Sequence, residues 1–333
     1  MSDGERELGL GLQTDKRPGE YAALARLAEA AGFGVVTAYN DLWFQPALPA
    51  LLEVAGVTAR VRVGPSCLNP FTTHPVELAG QTAVLDMASD GRAFLGLARG
   101  AWLDELGVDD SAPVTAIREA WAVVRRLIAG DDSGFAGERF SLPPGEQLRY
   151  PLRRREVPLL IGTWSPRLAA FAGEAAQELK VGGSANAELV PVMRERIANS
   201  EVGVVLGAVT VVDDDADRAR RIARREVASY VDVVAELDPT IVLDPELVAR
   251  IRALVAVGNG DEAGALLSDE TLARFAFAGT PEEIVRHVEA VFAAGARRVD
   301  FGTPHGEPER RGVELLCTEV APRLLAIGAA RGS

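Results

Sequence analysis

Short apolar runs alternate with amphipathic helical segments along most of this chain. The first run, residues 8–12, precedes a helical pattern that begins at Pro18 and is closed by Gly32. Similar pairs of run and helix recur with short connections, which predicts parallel strands because each helix returns the chain to the same edge of a sheet. The eight predicted strands are residues 8–12, 35–38, 61–64, 93–97, 158–162, 178–181, 203–212 and 298–302.

Eight strands that alternate with helices predict a (β/α)8 TIM barrel, with a doubly wound sheet as the alternative. Two segments interrupt the alternation: a Gly- and Pro-rich stretch at about 130–157, and a charged helical stretch at about 213–278 without strand signals. Neither a low-complexity linker nor an internal repeat divides the chain. We therefore expect one domain over residues 1–333, in which the two segments are insertions.

The composition narrows the classes of partner. A formal charge of −13 disfavours nucleic acid and anionic lipid as partners, because both are bound through Lys and Arg. No apolar run is long enough to cross a membrane, and the first residues lack the apolar stretch of a signal peptide. Two cysteines and three scattered histidines predict neither a disulfide framework nor a metal site. We expect a cytoplasmic protein that acts on a small molecule.

In a barrel of this kind the active site lies at the carboxyl ends of the strands. The loops there contain Trp43, Trp102 and Trp164, which either wall a pocket for a planar ring or simply plug the barrel mouth. His305 follows the last strand, where a proton donor or a substrate ligand would be useful. These loops are therefore the first place to look for chemistry.

A possible phosphate site follows the fifth strand. Residues 162–167, Gly-Thr-Trp-Ser-Pro-Arg, end a strand and place Pro166 in the first turn of a helix, so free backbone amides would face an anion. Arg99 and Gly100 offer a second phosphate ligand with close backbone approach. Aromatic walls and a phosphate site without a metal or a nucleophile favour a bound organic cofactor that performs redox chemistry.

Longer motifs add a family resemblance. Gly-Pro-Ser-Cys-Leu-Asn-Pro-Phe-Thr-Thr-His-Pro at 64–75 and Leu-Gly-Leu-Ala-Arg-Gly at 95–100 are followed, in order, by landmarks at 162–167, 180–186, 278–283 and 301–306. Together they resemble the bacterial-luciferase-like superfamily. Within it they look most similar to reductases that use the deazaflavin coenzyme F-420, of the methylene-tetrahydromethanopterin reductase and glucose-6-phosphate dehydrogenase types. The resemblance is specific for the fold, less specific for the cofactor, and not specific for any substrate.

The resemblance implies a set of cofactor contacts. In that superfamily the third strand ends in a non-prolyl cis peptide behind the (deaza)flavin ring, which here corresponds to Ser66–Cys67. Asp41 and Asn69 match ring-contacting positions. The loops that match the family's cofactor and phosphate-side loops are formed by Arg99, Gly100 and Ala101 and by Gly162, Thr163 and Trp164.

Two departures from the sugar-phosphate dehydrogenase branch affect the substrate. That branch has a His directly after the position of Asp41 and a Glu at the position of Ala101, whereas this chain has Leu42 and Ala101. Because both proton-transfer groups are missing, the resemblance does not imply oxidation of glucose 6-phosphate. The nearest replacement acids are Asp104 and His305.

The sequence therefore predicts an oxidoreductase that moves a hydride between coenzyme F-420 and a small organic substrate. Asp41, Asp104 and His305 are the catalytic candidates, and Trp43 and Trp102 are the candidate walls of the substrate pocket. The main alternative is an FMN-dependent luciferase-like monooxygenase. A non-catalytic relative is disfavoured by the retained cofactor loops, and similarity to dimeric relatives leads us to expect a homodimer.

Charge offers a way to separate the two cofactors. Coenzyme F-420 is polyanionic, so an acidic protein that binds it should have a basic rim at the barrel mouth. We expect this rim to be formed by Arg99, Arg167 and Arg153 to Arg155. Without such a rim, FMN would be the better fit.

Overall fold

The computed structural model describes residues 6–332. The strands, in chain order, are β1 (Glu7–Leu12), β2 (Val35–Ala38), β3 (Arg62–Pro65), β4 (Leu95–Leu97), β5 (Phe135–Ala136), β6 (Ser141–Leu142), β7 (Leu159–Gly162), β8 (Glu178–Gly182), β9 (Gly203–Val212), β10 (Ala276–Gly279) and β11 (Arg298–His305). The helices are α1 (Glu20–Ala30), α2 (Ala47–Ala55), α3 (Pro75–Ala88), α4 (Pro113–Ala129), α5 (Pro166–Ala175), α6 (Leu189–Ile197), α7 (Ala216–Ala228), α8 (Val231–Leu237), α9 (Pro245–Ala256), α10 (Gly260–Ala265), α11 (Asp269–Phe275), α12 (Pro281–Ala293), α13 (Glu309–Leu315) and α14 (Ala321–Gly332). None of these helices is long and apolar enough to cross a membrane.

The chain divides into two compact units. The amino-side unit comprises residues 12–26 and 35–179, and the carboxyl-side unit comprises residues up to 11, 27–34 and those from 180 onward. In the amino-side unit β2 pairs with β3 and β4 pairs with β7, both in parallel, and the bridge Val63–Ala93 connects the segments that contain β3 and β4. Its apolar interior includes Val35, Phe94 and Leu160, which form one buried cluster.

The carboxyl-side unit is also built on parallel strands. β11 pairs with β1 on one side and with β9 on the other, and β10 adds to the far end of β9. β9 is the longest strand, ten residues, and almost every position in it is buried. Such a continuous apolar sequence is typical of a strand covered on both faces.

A buried ion cluster lies among the strands of the carboxyl-side unit. The Nζ atom of Lys180 lies 2.7 Å from Oδ2 of Asp300, and Nε of Arg298 donates to Oδ1 of Asp300 at 2.7 Å. A Cβ atom on Gly9 would collide with that carboxylate, so the glycine leaves room for it. Burial alone would raise the pKa of Asp300, but the two cations hold it at about 2. The carboxylate is therefore charged throughout the physiological range.

Local sequence signals explain where several helices begin. Pro75 occupies the first turn of α3, and the side chain of His74 accepts a hydrogen bond from the backbone N–H of Val76 at 3.3 Å. α12 begins with a capping box between Thr280 and Glu283. His74 thus serves as a helix cap, in agreement with the structural role that its position before a proline indicates.

Each of the eight strands predicted from the apolar pattern is present, with ends that differ by up to three residues. Three strands of the described residues lie outside these eight: β5 and β6, which pair antiparallel in the Gly- and Pro-rich segment, and β10. Ala276–Gly279 lies where the sequence indicated only helices, yet it pairs in parallel with residues 209–212 of β9. The rest of the segment from 213 to 275 is helical, as its pattern predicts.

Candidate active site

The residues that follow β3 form the centre of the candidate site. The peptide bond between Ser66 and Cys67 is cis, as the family resemblance predicts. The Sγ atom of Cys67 packs towards two glycines of neighbouring strands: it would lie 3.3 Å from a Cβ atom on Gly96 and 2.8 Å from one on Gly162. The thiol therefore fills space inside the amino-side unit, in agreement with a packing role and not a nucleophilic one.

Three hydroxyl groups at the ends of β1, β2 and β3 have no protein partner among the described residues. They belong to Thr14, Thr37 and Ser66, and all three oxygen atoms are buried. Thr37 lies two positions after Val35 on β2, so both point to the same face, and Val35 packs in the cluster with Phe94. Because buried polar groups normally have a hydrogen-bond partner, these hydroxyls indicate a place where a ligand or water completes the bonding.

Asn69 presents a hydrogen-bond donor beside a gap in the next loop. Its Oδ1 atom accepts from the backbone N–H groups of Phe71 and Thr72, at 3.0 and 2.9 Å, and this fixes the orientation of the amide. Its Nδ2 atom points towards Gly100, where an added Cβ atom would lie only 3.0 Å away. Gly100 has a φ of +87°, in the region that favours glycine. The missing side chain leaves Nδ2 accessible from that direction.

Asp41 is the acidic group of the site. Its Oδ2 atom accepts a hydrogen bond from Nε2 of Gln13 at 3.2 Å, and Oδ1 makes none within residues 6–332. Burial raises the pKa of Asp41, and the bond from Gln13 lowers it by less, so the net effect favours the protonated form. A carboxyl group of this kind is suited to exchange a proton with a ligand.

Two tryptophans stand out from the loops in an unusual backbone conformation. Trp43 and Trp102 have φ values of +71° and +57°, and 73% and 50% of their surfaces are exposed. A left-handed backbone is rare for so bulky a residue and often accompanies a functional constraint. Asp104 follows Trp102 in a short 3₁₀ turn, Asp104–Leu106, and is exposed. Both rings are thus available to a ligand from solvent.

The loop after β7 leads directly into α5. The hydroxyl of Thr163 accepts a hydrogen bond from the backbone N–H of Ser165 at 3.0 Å, and Pro166 begins the helix. The side chain of Ser165 does not cap the helix, so among residues 6–332 the first-turn amides have no side-chain partner at that end. Trp164 lies between these residues and is half-buried. The sequence predicts that this loop faces the phosphate of a cofactor.

Most of the predicted basic rim is not at this site. Arg153 bonds Asp90 at 2.7 Å, and Arg154 bonds Asp86 at 2.9 Å as well as the carbonyl of Ala93. These partners precede β4, whereas Arg99 follows it, so the two groups of arginines lie at opposite ends of the strand. The expectation that Arg153 to Arg155 join the rim is wrong, because a charged turn in the sequence does not reveal which end of a strand it reaches.

Arg99 itself is already paired. Its Nε atom donates to Oδ2 of Asp110 at 2.6 Å, although 58% of the arginine side chain remains exposed. An anionic ligand at Arg99 would therefore compete with Asp110. Ala101, in the loop after β4, and Arg167, in the first turn of α5, are both exposed.

His305 belongs to the carboxyl-side unit and is fully buried at the end of β11. Its Nδ1 atom lies 3.1 Å from a carboxylate oxygen of Glu309, and its Nε2 atom lies 3.1 Å from the carbonyl of Phe301. Both partners are acceptors, so both bonds form together only when both ring nitrogens carry hydrogen. His305 would have to break one of these bonds before it could serve a substrate.

The amino-side unit thus contains the residues, from Asp41 to Trp164, that match cofactor-contacting positions of the family. The sequence places Gln13 and Thr14 in a loop at the carboxyl end of a strand, but it does not single out either residue, or Thr37, as a candidate for the site. One signal was available for Thr37, a polar residue inside the apolar run Val-Val-Thr-Ala. The position of Gln13 directly after β1 was the only signal for the other two.

Comparison with known proteins identifies the family. Residues 5–298 match the family model described as luciferase-like monooxygenase. The chain belongs to this family. The match confirms the predicted superfamily, and with it the (β/α)8 barrel.

The individual relatives have low sequence identity to this chain but are similar to it in length. The 5,10-methylenetetrahydromethanopterin reductase of Methanopyrus kandleri is 27% identical, over 96% of this chain and 98% of the relative. A coenzyme F-420-dependent glucose-6-phosphate dehydrogenase of Rhodococcus erythropolis is 28% identical, over 97% of this chain and 99% of the relative. The solved structure of the coenzyme F-420-dependent tetrahydromethanopterin reductase from M. kandleri superposes with a TM-score of 0.86 at 26% identity, over 96% of this chain and 99% of that one.

Proposed function

We propose that this protein is an oxidoreductase that transfers a hydride between coenzyme F-420 and a small organic substrate. The observation that carries the proposal is the match, at a TM-score of 0.86 and over 96% of the chain, to a reductase that depends on this coenzyme. A dehydrogenase that depends on the same coenzyme matches 97% of the chain.

The residues present fit a flat heteroaromatic ring. The buried hydroxyls of Thr14, Thr37 and Ser66 lack partners, and Nδ2 of Asn69 faces the space left by Gly100. A deazaflavin or flavin ring carries carbonyl and N–H groups along one edge, which can satisfy such partners. The fit therefore supports a ring of this class.

A phosphate group would fit between two neighbouring loops of the site. On one side the first-turn amides of α5 are free to face an anion after Thr163 and Ser165. On the other side Arg99 offers a guanidinium group once Asp110 has been displaced. We propose that these loops hold the phosphate of the cofactor's side chain.

When bound, coenzyme F-420 supplies the hydride donor or acceptor. The role that we propose for Asp41 is to exchange the accompanying proton with a heteroatom of the substrate. Its raised pKa keeps a proton available at a pH where an exposed aspartate has lost it, and its Oδ1 atom is not bonded within residues 6–332. Asp104, in the loop after β4, is a second candidate that is more exposed to water.

The proposed role of Trp43 and Trp102 is to cover the substrate and exclude water from the ring face. Both present a large apolar surface next to the loops that contain Asp41 and Gly100. The acid pair of the sugar-phosphate dehydrogenases is replaced by Leu42 and Ala101. We therefore propose a substrate class other than glucose 6-phosphate.

A binding experiment with an isosteric variant tests the proposal. Asn69→Asp keeps the oxygen that accepts from Phe71 and Thr72 but replaces the Nδ2 donor that faces Gly100. Fluorescence titration with coenzyme F-420 should show binding to the parent and a loss of at least about tenfold in the variant, the effect of one bond to a charged or strongly polar partner. Equal affinity of both proteins for coenzyme F-420 would show that Asn69 does not contact the cofactor.

An FMN-dependent monooxygenase is the second candidate. The description of the matching family model favours it, and so does the absence of Arg153 to Arg155 from the cofactor side of β4. Oxygen consumption with reduced FMN would support this reading. Anaerobic bleaching of coenzyme F-420 in the presence of substrate would support the first.

We also propose that the protein is a cytoplasmic homodimer, by analogy with its relatives. One supporting feature is the outer face of α3, where Val84 and Met87 are 37% and 40% exposed. Light scattering coupled to size-exclusion chromatography tests the oligomeric state. A Met87→Glu variant that becomes monomeric would locate the interface on α3.

A further inference from the structure

The side-chain amide of Gln13 connects the loop after β1 to the carboxyl group of Asp41. Nε2 of Gln13 donates to Oδ2 of Asp41 at 3.2 Å, and Oε1 of Gln13 accepts from the backbone N–H of Thr14 at 3.0 Å. A backbone N–H can only donate, so the oxygen of the amide must face Thr14 and the nitrogen must face Asp41. The orientation of the amide is thus determined by the chain itself.

The loop that contains Gln13 is held by several further bonds. Nζ of Lys16 donates to the backbone carbonyl of Gln13 at 3.1 Å, and the backbone N–H of Lys16 donates to the hydroxyl of Tyr21 at 3.0 Å. Gln45, which follows β2, donates from Nε2 to the carbonyl of Lys16 at 3.1 Å and from its backbone N–H to the carbonyl of Thr14 at 2.9 Å. These bonds join the loops after β1 and β2, so Gln13 has little freedom to move away from Asp41.

Gln13 is also the one hydrogen-bond partner of the Asp41 side chain within residues 6–332. Burial raises the pKa of Asp41, and the Gln13 bond lowers it; no charged side chain of the described residues contributes. The nearest charges on the same loop, Lys16 and Asp15, pair with each other at 2.8 Å. The state of Asp41 therefore depends on its burial and on one amide.

We propose that Gln13 is a positioning residue, which ties Oδ2 of Asp41 to the loop after β1 and leaves Oδ1 as the oxygen that meets the substrate. This inference deepens the proposed function and depends on it. In substrate reduction, Asp41 would give up its proton: the O–H bond at Oδ1 would break and the proton would pass to the substrate heteroatom, while the bound coenzyme would supply the hydride, with its electron pair, to the substrate carbon. The carboxylate that remains is stabilised at Oδ2 by the amide, and the reverse reaction returns the proton to Oδ1.

The test measures the titration of Asp41 directly, in protein without cofactor. Carboxyl ¹³C shifts of labelled aspartate are followed with pH, and the signal is assigned by its loss in Asp41→Asn. Gln13→Met keeps the length of the side chain and removes the donor, so Asp41 should titrate at a higher pH than in the parent. In a turnover assay run in the direction of substrate reduction, where Asp41 must be protonated, the alkaline limb of the pH profile should move to higher pH, with kcat affected more than KM.

A second variant keeps the test valid if Gln13→Met does not fold. Gln13→Glu retains the oxygen that accepts from Thr14 but places a second carboxylate beside Asp41. Two carboxylates at this distance share a proton, so the pair should titrate in two steps, the upper one above the value for Asp41 in the parent. Gln45→Met is the matched control: it removes an amide that has no bond to Asp41 but keeps the backbone bond between the two loops, and it should shift the titration of Asp41 much less than Gln13→Met does.

Two results would overturn the inference. One is an Asp41 that titrates at the same pH in Gln13→Met and in the parent; the other is a Gln45→Met variant that shifts Asp41 as much as Gln13→Met does. Failure of the parent to bind coenzyme F-420 would instead overturn the proposed function. The two failures are distinguishable because the titration is measured without cofactor.

Discussion

The Sγ atom of Cys67 lies 2.8 Å from the place where a Cβ atom on Gly162 would stand. Cys67 follows β3 and Gly162 ends β7, so the two meet from different strands of the amino-side unit. Both positions belong to loops that we assign to the cofactor. The glycine is therefore needed for packing behind the site, and its role there is separate from any contact with phosphate.

This packing predicts coupling between the two positions. Gly162→Ala should destabilise the protein by about 1–3 kcal/mol, the usual cost of an added group in a packed interior. Cys67→Ala should relieve most of that cost in the double variant, as measured by a double-mutant cycle from urea unfolding. Gly96→Ala is the control, because its Cβ atom would meet the backbone carbonyl of Pro65 and Cys67→Ala should not rescue it. Additive effects of the first pair would contradict the packing argument.

A buried hydroxyl without a partner should cost stability in the protein without ligand. Thr37→Val removes the unpartnered hydroxyl of Thr37 at nearly constant shape and should stabilise the protein by about 1 kcal/mol or more. The same change should weaken cofactor binding. Thr82→Val is the matched control, since the buried hydroxyl of Thr82 donates to the carbonyl of Leu78 at 2.7 Å and its loss should not stabilise. Thermal unfolding measures the stability of both variants. A destabilised Thr37→Val would show that the hydroxyl of Thr37 already has a partner.

The raised pKa of Asp41 predicts a pH-dependent gain in stability on its removal. Because the folded-state pKa lies above the ordinary 3.8, the parent loses stability as the pH rises through the folded value. Asp41→Asn should therefore have a higher Tm than the parent at neutral pH, and the difference should vanish below pH 3.8. Asp104→Asn is the control: it replaces a carboxyl group at an exposed position and measures the effect of that replacement on Tm without burial. A Tm difference that is constant with pH would contradict the assignment.

The pairing of Arg99 with Asp110 predicts a variant that binds an anionic cofactor more tightly. Asp110→Asn frees Arg99 for the ligand, and the affinity should rise by roughly twofold to fivefold, as expected for a partly exposed ion pair. The gain should shrink at high salt. Asp109→Asn is the control because Asp109 pairs with Arg139. Equal affinities of the two variants would show that Asp110 does not compete with the cofactor.

Much of the fold could be predicted because the strands are short apolar runs with regular spacing. The exception, β10, consists of Ala276-Phe-Ala-Gly279, which directly follows a helix and has little β-branched character. Its strand conformation comes from pairing with β9, more than sixty residues earlier in the chain, and no local pattern reveals such a contact.

The sequence predicts the candidate-site residues that lie in a motif. It does not predict those whose role depends only on a tertiary contact. Motifs identified Asn69 and Gly100, but the role of Gln13 appears only when its amide is seen beside Asp41. The basic run at Arg153 to Arg155 was assigned to the wrong end of β4 for the same reason. Sequence spacing gives the order of elements, whereas the partner of a long polar side chain depends on the folded chain.

The central claim is tested most directly by titrating the purified protein, in parallel, with coenzyme F-420 and with FMN. We predict saturable quenching of coenzyme F-420 fluorescence, weak binding of FMN, and loss of the quenching in Asn69→Asp. Tight binding of FMN without any affinity for coenzyme F-420 would contradict the account.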